Sequence, residues 1–149
     1  MKYLKPLLCV AIVFIVGCST FERDWNQNSL RPVPAGITGA WEGVWHSDSN
    51  GHTDRLRCLI TKGTNDFWQA HFKADYSRWY LPFTFSYKVD LQGEESSGVL
   101  NFKGDSDLGW YAGGAYQYSG MATSTNFNST YRCPSDYGTF QMGRPKALR

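Results

Sequence analysis

From Gly39 onward, apolar and polar residues alternate with a period of two, broken at short intervals by turn residues. Trp41, Gly43 and Trp45 share one face, and Ser47–Gly51 is a turn. Leu56, Cys58 and Ile60 oppose Arg55 and Arg57; Lys62–Asp66 turns again. Trp68, Ala70, Phe72 and Ala74 alternate with Gln69, His71 and Lys73. Residues Tyr76–Pro82 read as a loop. Phe83, Phe85, Tyr87, Val89 and Leu91 form the next apolar face, and Gln92–Gly98 turns. Leu100 with Phe102, then Tyr116 with Tyr118 and Gly120, follow on either side of a loop at Gly104–Gly114. Phe127, Ser129 and Tyr131, then Phe140 and Met142, close the series. The pattern predicts about eight short strands and no helix of ten residues. Short connections favour antiparallel neighbours. The predicted fold is all-β, an antiparallel up-and-down barrel of about eight strands, with a β-sandwich as the alternative. Such a barrel holds either packed side chains or one small ligand.

The N-terminus follows a different logic. Lys2 and Lys5 precede an apolar run from Leu7 to Val16. The pattern predicts a secretory signal, and the run is too short for the ~20 residues a spanning helix needs. Ile15-Val16-Gly17-Cys18 resembles the lipobox of bacterial lipoproteins. The resemblance implies a diacylglyceryl group on the Cys18 sulfur, cleavage before Cys18 and a fatty acyl chain, such as palmitate, on the new amine. Two or three chains, at ~0.8 kcal/mol per buried CH₂, hold a protein firmly on a membrane. Ser19, in place of aspartate, implies the periplasmic face of the outer membrane if the cell is Gram-negative.

The expected organisation is a signal peptide at 1–17, a lipidated N-terminus and tether at 18–37, a barrel domain at 38–145 and a tail at 146–149. Asn26, Asn28, Ser29 and Arg31-Pro32-Val33-Pro34 predict an extended spacer. Phe21, Trp25 and Leu30 leave open a short amphipathic helix on the membrane surface.

Charge narrows the partners. Lys2 and Lys5 leave with the signal, so the 15 basic residues become 13, against 13 acidic ones. A neutral mature chain of mixed sign carries no footprint for nucleic acid. Aromatics make up 16% of residues, enough to fill a small interior with rings or to build a binding face. Cys9 leaves with the signal and Cys18 carries lipid, which leaves Cys58 and Cys133. Both face inward by parity, so they are a disulfide candidate; two buried thiols are the alternative.

Gly39-Ala40-Trp41 resembles the G-x-W start of the calycins, which include lipocalins, fatty-acid-binding proteins and avidins. Ser135-Asp136-Tyr137 resembles the lipocalin T-D-Y turn. Arg144 stands where lipocalins carry an arginine over that tryptophan. The resemblance implies a calycin-like barrel in which Arg144 covers Trp41.

Candidate chemistry is sparse. His46, His52, Asp48 and Asp54 flank one turn without a metal-ligand or catalytic spacing. Glu94-Glu95 are adjacent, whereas glycosidase carboxyls face each other across a cleft at ~5–9 Å. Asp105 and Asp107 lack the spacing of a calcium loop. The sequence therefore predicts no catalytic residues, no metal and no cofactor, and a protein that is not an enzyme. It reads best as a membrane-anchored envelope lipoprotein whose barrel is a structural or interaction module. Trp79, Tyr80, Trp110 and Tyr111 are the candidate contact points for an envelope protein. The alternative is a small apolar or aromatic ligand held by Trp41, Trp45, Trp68, Tyr116 and Tyr118.

Overall fold

A computed structural model describes residues 20–78 and 80–146. Residues 1–19, which include the expected signal peptide and Cys18, together with Trp79 and residues 147–149, lie outside them. Eight strands run in chain order: β1 (Gly39–Ser47), β2 (Thr53–Lys62), β3 (Phe67–Arg78), β4 (Leu81–Ser96), β5 (Val99–Asp107), β6 (Ala115–Ala122), β7 (Asn126–Arg132) and β8 (Tyr137–Gly143). Each pairs antiparallel with the next, and β8 returns to β1 with Phe140 opposite Trp45 and Met142 opposite Gly43. The barrel is closed, and the sandwich alternative is excluded.

Parity places the core. Trp41, Leu56, Cys58, Ile60, Trp68, Phe72, Val89, Leu91, Phe102, Phe127 and Phe140 are buried inside. Phe72, Phe102, Phe127, Phe140 and Tyr118 approach one another at ring separations of 5.0–6.3 Å, so the middle of the barrel is packed with rings. Glycine makes room for them. A Cβ at Gly120, on the inner face of β6, would lie 2.9 Å from Phe102 Cζ and 2.2 Å from the Asn128 carbonyl. No other residue fits there.

The disulfide candidate is not formed: Cys58 and Cys133 are both free and buried. Parity gave each the correct face but said nothing of depth. Cys58 lies mid-barrel, paired with Trp41 and Phe72, whereas Cys133 follows the last residue of β7 at the rim.

One end is sealed. The Arg144 guanidinium lies 3.8 Å from the Trp41 ring centroid, as the calycin resemblance implied. It donates to the carbonyls of Gly36 (2.6 Å), Thr38 (2.8 Å), Ala40 (3.2 Å) and Ser124 (2.8 Å). Trp41 Nε1 in turn donates to Ile37 at 2.9 Å.

The segment expected to be a spacer is different. Residues 20–29 form a helix, α1, packed on the outside of the barrel rather than extended. Phe21 is 0% exposed and clusters with Trp25, Ala40 and Leu59. Glu22 receives a fork from Arg57 (Nη1 3.1 Å, Nη2 2.8 Å) and a bond from Lys73 Nζ. Arg57 also lies over the Phe21 and Trp25 rings, at 5.4 and 5.2 Å. Leu30 stays exposed. This outer patch explains why Arg57, Leu59 and Lys73 are buried although parity points them away from the core.

The β3–β4 hairpin is also longer than expected. Arg78 pairs with Leu81, so of the predicted Tyr76–Pro82 loop residues 76–78 and 81–82 are strand instead. Period two simply continues through Tyr76 and Phe83. β4 pairs with β5 only from Asp90 onward, so the hairpin projects beyond its neighbour.

Candidate functional site: the open end

The strand directions gather four connections at the end opposite Arg144: β1–β2, β3–β4, β5–β6 and β7–β8. Just inside this mouth the side chains are aromatic with polar tips. Trp45, His52 and Tyr76 stack together, at 5.0 Å for Trp45–His52 and 4.6 Å for His52–Tyr76. Trp45 Nε1 donates to the Asp75 carbonyl at 2.9 Å. Tyr116, Tyr118 and Tyr131 form a second group, with Tyr116 6.1 Å from each of the other two rings. Tyr118 and Ser106 share a hydrogen bond at 3.1 Å. Burial pushes the Tyr118 phenol up to about 12, and pushes Tyr87, Tyr116 and Tyr131 up as well. These hydroxyls stay protonated at neutral pH and act as hydrogen-bonding groups.

Asp136, from the turn that resembles T-D-Y, ties the rim together. It accepts from Ser47 Oγ (2.6 Å), Ser49 Oγ, Tyr131 OH (3.0 Å) and its neighbour's amide, Tyr137 N (2.9 Å). Burial raises its carboxyl, but the Ser47, Ser49 and Tyr131 bonds outweigh that and hold it below the usual range. This locks the β7–β8 turn onto the β1–β2 turn. Cys133 stands beside it. Burial raises that thiol too, but bonds from Ser135 and Tyr116 bring it below its ordinary value.

The outermost layer is apolar and uncovered. Tyr80 is fully exposed, Trp110 is 92% exposed and Tyr111 64%. Leu81, Phe83 and Phe85 on β4 add to this layer, with Phe83 at 50% and Phe85 at 43%. Sequence reasoning put Phe83 and Phe85 in the core. They have core parity, but β5 does not reach far enough to cover them. The length of the free hairpin was the missing signal. Tyr80 sits at φ 68°, a left-handed backbone that costs an ordinary side chain about 1–2 kcal/mol.

Of the predicted contact residues, Tyr80, Trp110 and Tyr111 all lie on connections at the open end, Tyr80 on the projecting β3–β4 hairpin and the other two on the β5–β6 connection; Trp79 lies outside the described residues. The five ligand candidates do not form one set. Trp45, Tyr116 and Tyr118 lie toward the mouth, while Trp41 and Trp68 are buried toward the sealed end. A depression of about 380 Å³, lined by Gln92, Asn101, Phe102, Lys103, Ser119 and Gly120, lies at the wall formed by β4, β5 and β6 and includes none of the five ligand candidates.

His46 and His52 each sit beside an aspartate, Asp48 at 3.5 Å and Asp54 at 3.6 Å. No group of three or more His, Cys, Asp or Glu able to hold a metal occurs among the described residues. His71, which alternates with the apolar face of its strand, lies under α1 with its ring edge-on to Phe21 at 4.9 Å. No protein-family model, no curated protein and no solved structure matches the chain.

Proposed function

We propose that this protein is a membrane-anchored interaction module: a lipid on Cys18 holds it to the envelope, and the open end of its barrel docks a protein. The observation that carries the reading is the exposed aromatic layer of Tyr80, Leu81, Phe83, Phe85, Trp110 and Tyr111. A small protein rarely leaves so many large apolar side chains uncovered at one end. Aromatic side chains are also the residues that dominate protein contacts. Two further features support it. The middle of the barrel is packed with rings, which favours a solid module over a carrier of apolar ligands. The barrel is apolar inside and largely polar outside, the inverse of a barrel embedded in lipid, so an anchor is the means of attachment that fits.

The test has two arms. Cys18→Ser should move the protein out of the membrane fraction or leave its precursor uncut. A photo-crosslinking residue placed at Trp110 or Tyr80 in cells should yield protein adducts, whereas the same residue at Asn128, exposed on the wall at β7, should not. A membrane fraction indifferent to Cys18, or adducts no stronger at the open end than at Asn128, would overturn the reading.

A further inference from the structure

β4 is longer than the neighbour that should cover it. Its ladder with β3 runs from Phe67↔Gln92 to Arg78↔Leu81, but its ladder with β5 only from Asp90↔Asp105 to Ser96↔Val99. Among the described residues, Leu81–Val89 therefore has a strand partner on one side alone. Such an edge presents free N–H and C=O groups, and folded proteins usually blunt it with charge, proline or a bulge. Here the blunting is slight. Pro82 lies next to the tip, Lys88 lies at the base, and no charged residue falls between them. The same segment carries the half-exposed Phe83 and Phe85 on one face.

We infer that this edge is covered by a second copy of the chain, β4 against β4, antiparallel about a two-fold axis. The inference rests on the reading of the open end as a contact surface and names its partner. The edge is complementary to itself in register and brings no like charges together. Side chains alternate strictly between faces, so the apolar faces of two copies fall on the same side only when the axis passes through a residue rather than between two. The hairpin tip of one copy must also stop short of Asp90 in the other, because β5 occupies the edge from there on. The longest ladder that meets both conditions centres on Thr84. It sets Phe83 opposite Phe85, Leu81 opposite Tyr87, Pro82 opposite Ser86 and Thr84 opposite its own counterpart. Aromatic pairs and Thr–Thr pairs are favourable cross-strand partners. Lys88 comes opposite the Tyr80 tip, so no like charges meet. Trp110 and Tyr111 follow β5, the strand beside the free edge, and stand at the end where the second tip arrives. A lipid anchor would confine both copies to one surface and raise their effective concentration, so a short ladder suffices.

The test uses the full chain in its own membrane. Directly opposed residues in an antiparallel pair have Cα atoms ~4.5–5.5 Å apart, inside the ~4.4–6.8 Å range of a disulfide. Thr84→Cys should therefore give an oxidised dimer several-fold above the parent chain, whose own Cys58 and Cys133 are buried. Asn128→Cys, exposed on β7, should stay at the parent level. The detergent-solubilised parent should have the mass of a dimer. Phe83→Lys combined with Phe85→Lys brings ammonium groups opposite one another, so it should give a monomer with an unchanged far-ultraviolet CD spectrum. A parent that is monomeric in detergent, with Thr84→Cys linking no more than Asn128→Cys in the membrane, overturns the inference. If Trp110 still crosslinks to a different protein in that case, self-pairing is wrong and the contact-surface reading survives. If it crosslinks to nothing, both fall.

Discussion

The Arg144 guanidinium replaces a water-filled barrel floor with a stack on Trp41 and four bonds to backbone carbonyls. Lysine would keep the charge but could not lie flat on the indole or bond in several fixed directions at once. A cation over an aromatic ring contributes ~0.5–2 kcal/mol and a net hydrogen bond ~0.5–1.5 kcal/mol. Arg144→Lys should therefore destabilise the protein by about 1–3 kcal/mol, read as a lower urea midpoint with an unchanged slope. This contact was legible in the sequence, because the first and last strands of a closed barrel are neighbours and the two residues sit at their adjoining ends. The two thiols were legible only in part. Their faces followed from parity, while their depths depended on strand lengths that turn residues had set too short. Burial holds the Cys58 thiol well above its ordinary value, whereas hydrogen bonds bring Cys133 below it. Alkylation of the native protein should label Cys133 first and reach Cys58 only on unfolding. Equal labelling rates would contradict this ordering.

Among the elements, α1 is the one the sequence left open between a spacer and a short helix, and the reason is physical. Its buried residues, Phe21 and Trp25, are spaced i, i+4 in a stretch otherwise rich in Asn and Ser, which has low helix propensity. Its stability comes from tertiary contacts with Arg57, Leu59 and Lys73, which alternation assigns to either solvent or core. The bond from Arg57 lowers the Glu22 carboxyl, opposed by burial and reinforced by Lys73, to about 2 from 4.5. A carboxyl depressed on folding stabilises the native state above its unfolded value, and that contribution fades as pH falls from about 4.5 to about 2. Because Glu22 is 41% exposed, solvent screening reduces it to roughly 1 kcal/mol. Glu22→Gln goes further, since it leaves Arg57 and Lys73 buried without a counter-charge. We expect a loss on the order of 2 kcal/mol, below the ~3–5 kcal/mol of a fully buried pair. Amide exchange should show the loss confined to residues 20–29, with the β6–β7 ladder still protected. Uniform deprotection of the barrel would mean that α1 is part of its cooperative core instead.

At the scale of the whole molecule, the two ends of the barrel obey opposite rules. The sealed end satisfies its polar groups and covers its rings. The open end leaves rings in water and holds Tyr80 in a backbone region that suits Asn or Gly. If the open end exists for contact, its residues should contribute nothing to folding and one of them should oppose it. Tyr80→Asn should then stabilise the protein by about 0.5–1 kcal/mol, because asparagine tolerates the left-handed turn at lower cost. Trp110→Ser should leave stability within ~0.5 kcal/mol, as for other exposed surface positions, since its one ring contact among the described residues is with its exposed neighbour Tyr111. Both substitutions should weaken the protein contacts made at the mouth while the melting temperature holds or rises. Strands β1 to β8 and the inward faces could be derived from alternation because alternation is set by burial. An exposed ring with core parity obeys the same pattern for a different reason, so only the free edge of β4 distinguishes Phe83 and Phe85 from Tyr87 and Val89. A fall in melting temperature for Tyr80→Asn or Trp110→Ser would show that these rings tuck against the barrel and stabilise it, and would remove the basis for the open end as a contact surface.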